Sequence, residues 1–163
     1  MKCIMCDNKQ NLKRQTTTVK YKDCGLDNVT LYGVEFFKCD QCGEIYYGYG
    51  DTEKLHSAIA EILILNKDLL SGKEIRFLRT YLGYSGAVFA RLTGYTKESI
   101  SRMENGKQNI VKPFDRLVRY FVSTKLPHRD YDLQDLWLKD EGKSLKRIEL
   151  KAHNNNWVLK EAA

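Results

Sequence analysis

The chain has 163 residues, with 27 Lys and Arg against 21 Asp and Glu and a formal net charge of +6. That length accommodates one large domain or two small ones. A membrane-spanning helix is excluded, because it needs about 18 or more consecutive apolar residues and the longest candidate, residues 59–65, is interrupted by Glu61.

Residues 1–50 are predicted to be a zinc-binding module. Cys3-Ile4-Met5-Cys6 and Cys39-Asp40-Gln41-Cys42 are two CxxC pairs. Each presents two thiolates from one tight turn, and two such turns close a tetrahedron suited to Zn²⁺. Rival readings are a pair of disulfides, which need an oxidising compartment, and a redox CxxC, which needs a βαβ context that is absent here. Met1-Lys2 leads straight into the first pair with nothing resembling a signal peptide, so a cytoplasmic location is expected. Residues 16–22 and 29–37 are rich in β-branched and aromatic side chains, and residues 23–28 have turn chemistry. They predict a two-stranded ribbon that depends on the metal, since an isolated hairpin is marginal in water. Cys24, in the turn, reads as a spare thiol. Tyr46, Tyr47 and Tyr49 read as an extended exit segment that packs on the ribbon or meets a partner.

Residues 51–70 predict a linker helix, capped by Asp51 or Thr52, with Leu55, Ile59, Ile62 and Leu63 at helical intervals. His56 reads as an exposed helix residue. Residues 71–125 predict an all-α unit of four short helices. Ser71 to Glu74 is a capping box, Ser85 and Thr96 are N-caps, Gly94 is a left-handed terminator, and Pro113 sits in a first turn. Residues 126–163 predict a C-terminal extension. It comprises a short helix over 130–139, burying Leu133, Leu136 and Trp137, and a hairpin over 147–160 turned at residues 153–156. Capping of the helical unit is its expected role, with dimerisation or strand addition to a partner as the alternatives. The fold class is therefore α+β: a small zinc-bound β-ribbon, a linker helix, a helical domain and a β-hairpin extension.

The helical unit also holds the chain's excess positive charge. Residues 71–125 carry 11 Lys and Arg against 4 Asp and Glu, whereas the segments on either side are near neutral. Such a concentration is the footprint of a phosphate-binding surface; the bland alternative is a face kept positive for solubility. Residues 85–104 have the two short helices and Gly-containing turn of a helix-turn-helix. Ala90 is small where the helices approach, Gly94 makes the turn and Ile100 plugs the core. With Ile100 and Met103 facing inward, Lys97, Glu98, Ser101 and Arg102 face outward. The N-terminal part of a recognition helix reaches base edges in the major groove. Arg102 is the candidate for guanine O6 and N7, and Glu98 either accepts from cytosine or repels phosphate. Thr96, Lys97, Ser99 and Ser101 are candidate donors to bases or phosphates, Ser85 begins a helix whose amides can seat a phosphate, and Lys107 is a second backbone anchor. For each residue the alternative is a solvated polar side chain.

Three stretches carry a family resemblance: Met1-Lys2-Cys3-x-x-Cys6, Gly33-Val34 through Cys39-x-x-Cys42-Gly43-Glu44, and Ser101-Arg102-Met103-Glu104-Asn105-Gly106. The chain resembles, over roughly residues 1–122, the MqsA family of type II toxin–antitoxin antitoxins, a YgiT-type zinc finger followed by an Xre-like helix-turn-helix. The resemblance implies structural zinc on Cys3, Cys6, Cys39 and Cys42, an N-terminal module that neutralises a protein toxin, and a dimeric C-terminal module that represses its own operon at a double-stranded palindrome. It also implies that Arg102 reads a base. Glu98 departs from the asparagine the family offers for base contact, and residues 126–163 lie past the family's usual end. The alternative function is a stand-alone helix-turn-helix regulator, of phage or other descent, with a structural zinc module and no toxin partner. A zinc enzyme is not expected: four cysteines leave no open coordination position, and His56, His128 and His153 are scattered.

Overall fold

A computed structural model describes residues 3–6, 12–126, 147–154 and 156–160. The helix expected over 130–139 lies outside them. Among the described residues there are five strands in one sheet and five helices.

The long strand β2 (Val29–Lys38) organises the sheet. Strand β1 (Lys13–Lys20) pairs with it antiparallel along one edge, as the predicted ribbon. The opposite edge is shared by two strands. Residues 35–38 pair antiparallel with β3 (Ile45–Gly48), and residues 29–32 pair parallel with β4 (Ile148–His153). Strand β5 (Asn156–Leu159) then pairs antiparallel with β4. The division falls at Gly33, whose φ of +72° only glycine adopts without strain. Across from it the β1 register slips between Thr17 and Val19, the irregularity a bulge introduces when a strand must twist.

Two expectations change here. The tyrosine segment is a third strand, not an exit strand lying on a two-stranded ribbon. The C-terminal hairpin forms as predicted, but it joins the N-terminal sheet instead of capping the helical unit. Ile148 and Leu150 from β4 are fully buried with Val29, Leu31 and Val34 from β2.

Helix α1 (Thr52–Leu65) begins at Asp51, whose carboxylate accepts from the amides of Glu53 and Lys54. Its buried residues, Leu55, Ile59, Ala60, Leu63 and Ile64, cover too much of its circumference for a surface helix. It packs against the sheet on one side and the remaining helices on the other, so one hydrophobic core runs through both. His56 is half-buried at this junction and not an exposed residue. Its Nε2 lies 3.0 Å from the Tyr21 hydroxyl and its ring meets the Phe77 ring edge-on. Burial pushes its pKa down.

The other helices are α2 (Gly72–Tyr81), α3 (Gly86–Thr93), α4 (Lys97–Glu104) and α5 (Lys112–Lys125). Ser71 and Glu74 form the capping box, Ser85 accepts from the Val88 amide, and Gly94 ends α3 in the left-handed region. Pro113 lies in the first turn of α5. The inward side of α5 buries Phe114, Val118 and Val122, and with them Asp115 and Arg119. Arg119 donates to the carbonyls of Leu63 and Ile64 at 3.1 and 2.7 Å, and to those of Asn66 and Asp68. It thereby satisfies carbonyls that the end of α1 leaves without intrahelical partners.

Candidate metal centre and helix-turn-helix face

The turn between β2 and β3 is the second cysteine knuckle. The Cys39 amide donates to the Glu44 carbonyl and the Gly43 amide donates back to the Cys39 carbonyl, both at 2.9 Å. This curl turns Cys39 and Cys42 to one side, where they meet the first knuckle. The Sγ atoms of Cys3, Cys6, Cys39 and Cys42 all lie within 4.8 Å of one another. Cys3 and Cys42 are 3.5 Å apart, and Cys6 and Cys39 are 3.7 Å apart. A tetrahedral ion with metal–sulfur bonds of about 2.3 Å requires edges of about 3.8 Å. The residues present therefore fit a metal ion.

The electrostatics prepare the sulfurs unevenly. Cys3 is lowered to about 6, chiefly by the Tyr46 hydroxyl. Cys39 is lowered, chiefly by the Cys42 amide. The Glu44 amide pulls Cys42 down, but desolvation and the Cys3 and Cys39 sulfurs outweigh it and Cys42 is raised. Without a cation, full ionisation of four thiols this close is opposed by mutual repulsion. Cys24 stands apart from the cluster, half-buried, its thiol donating to the Tyr21 carbonyl at 3.7 Å and its pKa pushed up by burial.

On α4, Ile100 and Met103 are each 1% exposed, while Lys97, Glu98, Ser101 and Arg102 share a shallow outer concavity. The structure therefore brings together the four outward-facing candidates. Thr96 and Ser99 are partly committed to the helix: the Thr96 hydroxyl accepts from the Ser99 amide at 3.1 Å and donates to the Ser99 hydroxyl at 3.0 Å. Ser85 is exposed at the start of α3. Lys107 is exposed beyond α4, its amide donating to the Arg102 carbonyl at 2.8 Å.

What holds α4 at its pitch is Glu104, whose side chain is 6% exposed. Arg79 grips both its oxygens, at 2.6 and 3.1 Å, and Arg76 reaches it at 3.2 Å. Arg76 also donates to Asn105, which in turn donates to the Ser101 carbonyl. Several cations of the basic segment are thus inward ties. Arg79 and Arg119 each face a buried carboxylate, which leaves the net excess on residues such as Lys97, Arg102 and Lys107.

A family model described as the antitoxin component of the bacterial toxin–antitoxin system, MqsA, matches residues 1–127. The chain belongs to this family. No match was found among curated proteins. Membership in the MqsA family implies a toxin partner and a regulatory, non-catalytic role. No described helix is long and apolar enough to cross a membrane.

Sequence reasoning about this MqsA-family chain missed two contributors. Glu104 follows Ile100 by one helical turn, a spacing that could have placed it inward, but its partners Arg76 and Arg79 lie on another helix and leave no local trace. Tyr46 carried no local signal, because its partners lie at the far N-terminal end of the module.

Proposed function

We propose that this chain is a zinc-containing, DNA-binding antitoxin that neutralises a cognate toxin through residues 1–50 and represses its own operon through residues 71–125. Zinc suits four soft thiolates in a closed tetrahedron, and its role there is structural, because no position is left for substrate. The helical unit acts as a homodimer on a double-stranded palindrome, as two-fold helix-turn-helix proteins do. In this reading α4 enters the major groove, Arg102 grips a guanine edge, and Lys97, Ser101 and Lys107 hold bases or phosphates. Thr96, Ser99 and Ser85 contribute mainly through the helix N-termini they cap. Glu98 accepts from cytosine or excludes wrong registers by repelling phosphate. Residues 51–70 connect the two functional units, and the location is cytoplasmic.

The observation that carries the reading is the presence, within one span matched by the MqsA model, of a four-sulfur cage and an outward α4 face bearing Arg102. Binding of the full chain to its own upstream DNA tests the repressor half. Arg102→Ala is expected to weaken specific binding by about 1–3 kcal/mol while leaving non-specific binding largely intact; equal affinity would remove α4 as the reading helix. Co-expression with the adjacent reading frame tests the toxin half. Rescue of growth is expected. Operator binding without any toxic neighbour to rescue would leave a stand-alone regulator.

A further inference from the structure

Tyr46 lies on β3, on the face opposite the exposed Ile45 and Tyr47, and its side chain is half-buried. Its hydroxyl oxygen is 3.3 Å from Cys3 Sγ and accepts the Ile4 amide at 3.1 Å. A phenol has one hydrogen. Because the Ile4 amide donates into the oxygen, that hydrogen remains available for the sulfur. A metal-bound Cys3 thiolate carries no hydrogen of its own, so the bond runs from the phenol to the sulfur. The two bonds together fasten the first knuckle to a strand some forty residues away.

We propose that Tyr46 is a positioning residue of the metal centre: it anchors the first knuckle on β3 and donates to the metal-bound Cys3 sulfur, and so sets how slowly the ion is lost. The inference rests on the zinc reading above. A hydrogen bond to a thiolate draws charge from the sulfur and makes it a weaker nucleophile toward oxidants and electrophiles. The bond to Ile4 keeps Cys3 in place when a metal–sulfur bond opens, which favours its re-formation. Cys42 is exposed, so burial alone does not protect the centre and the hold on each ligand matters.

The test uses the full chain loaded with Zn²⁺, comparing wild type with Tyr46→Phe and Tyr47→Phe. Tyr47 is the control, since its hydroxyl is on the same strand but on the exposed face. Transfer of zinc to an excess of a chromogenic chelator is expected to be about 10-fold faster in Tyr46→Phe, the lower end of what outer hydrogen-bond partners contribute to metal affinity, and unchanged in Tyr47→Phe. In Co²⁺-loaded protein, the sulfur-to-cobalt charge-transfer band should move to lower energy in Tyr46→Phe only, a shift that lost packing alone does not produce. Equal release rates, an unmoved band, or the same changes in Tyr47→Phe would overturn the proposal. If Tyr46→Phe takes up no metal, 3-fluorotyrosine at position 46 decides in the Co²⁺-loaded protein: the stronger donor to the sulfur must move the charge-transfer band to higher energy, and a band unmoved or moved to lower energy overturns the proposal. A wild-type chain that takes up neither ion overturns the zinc reading and this proposal together, whereas a loaded wild type with an indifferent Tyr46→Phe overturns the role of Tyr46 alone.

Discussion

Arg119 and Asp115 show how much one buried pair can organise. Both side chains are fully buried, and Arg119 Nε donates to Asp115 Oδ2 at 2.7 Å. Asp115 also accepts the Leu70 amide at 2.8 Å and Arg119 Nη2 at 3.3 Å, while the guanidinium's remaining bonds go to carbonyls at and just beyond the end of α1. The last turn of α1 has no basic residue of its own, so a cation from α5 supplies the charge that a helix C-terminus favours. Every polar group in this knot depends on the others. Removing one partner of such a pair strands a buried charge and typically costs about 3–5 kcal/mol. Arg119→Ala is therefore expected to lower the unfolding free energy by that amount in urea titrations. A loss under about 1 kcal/mol would mean that water satisfies the freed carbonyls and that Arg119 is dispensable. In the sequence, Asp115 and Arg119 are merely an i, i+4 pair of opposite charge, a pattern met on countless exposed helices. Nothing local distinguishes a buried pair from a solvated one, so Arg119 counted toward the basic surface.

The helices themselves were legible because their signals are local. Ser71 with Glu74, Ser85, Thr96 and Pro113 each act within one turn of their own helix, and all lie where their spacing predicted. Close approach between helices is a different matter, as Gly72 and Gly86 show. Both are the first residue of a helix, α2 and α3 respectively. A Cβ on Gly72 would stand 2.3 Å from the Met103 carbonyl oxygen and 2.8 Å from that of Glu104, whereas nothing lies within 4 Å of one on Gly86. The obstacles are backbone atoms, which cannot rotate away. Gly72→Ala must push α2 from the end of α4, at a cost of about 1–3 kcal/mol typical of overpacking. Gly86→Ala should be neutral or stabilising by up to about 1 kcal/mol, through reduced freedom of the unfolded chain. Thermal denaturation of the two variants side by side checks the opposite signs. If Gly72→Ala is as stable as Gly86→Ala, the α2–α4 contact is looser than the geometry says.

At the scale of the molecule, the family match ends at residue 127, yet the sheet belonging to the matched part is completed by residues beyond it. The hairpin was legible from its own turn, but its partner was not, since a parallel pairing between residues 29–32 and 148–151 leaves no local trace. Its docking is more than backbone deep. The Tyr32 hydroxyl donates to Glu149 at 3.0 Å and helps hold that carboxylate's pKa below its ordinary value, while Lys160 lies 3.7 Å over the Tyr32 ring. Ile148 and Leu150 are fully buried, and each such side chain contributes about 1.5–3 kcal/mol when removed from water. The four-cysteine cluster secures the opposite end of β2, where Lys38 leads into Cys39 and β3 pairs. Two independent supports thus act on one strand, the four-cysteine cluster beside residues 35–39 and the hairpin at residues 29–32. Deleting residues 127–163 should separate them. Amide exchange in zinc-loaded protein is expected to rise by about tenfold or more at the amides of residues 29–32 that face β4, while those facing β1, and residues 35–38 between β1 and β3, stay protected; Leu150→Ala should reproduce the pattern in weaker form. Uniform loss of protection along β2 would show that the sheet is one cooperative unit in which the hairpin and the metal cannot be uncoupled. Unchanged protection at residues 29–32 would show that the extension adds nothing to the fold of the matched region.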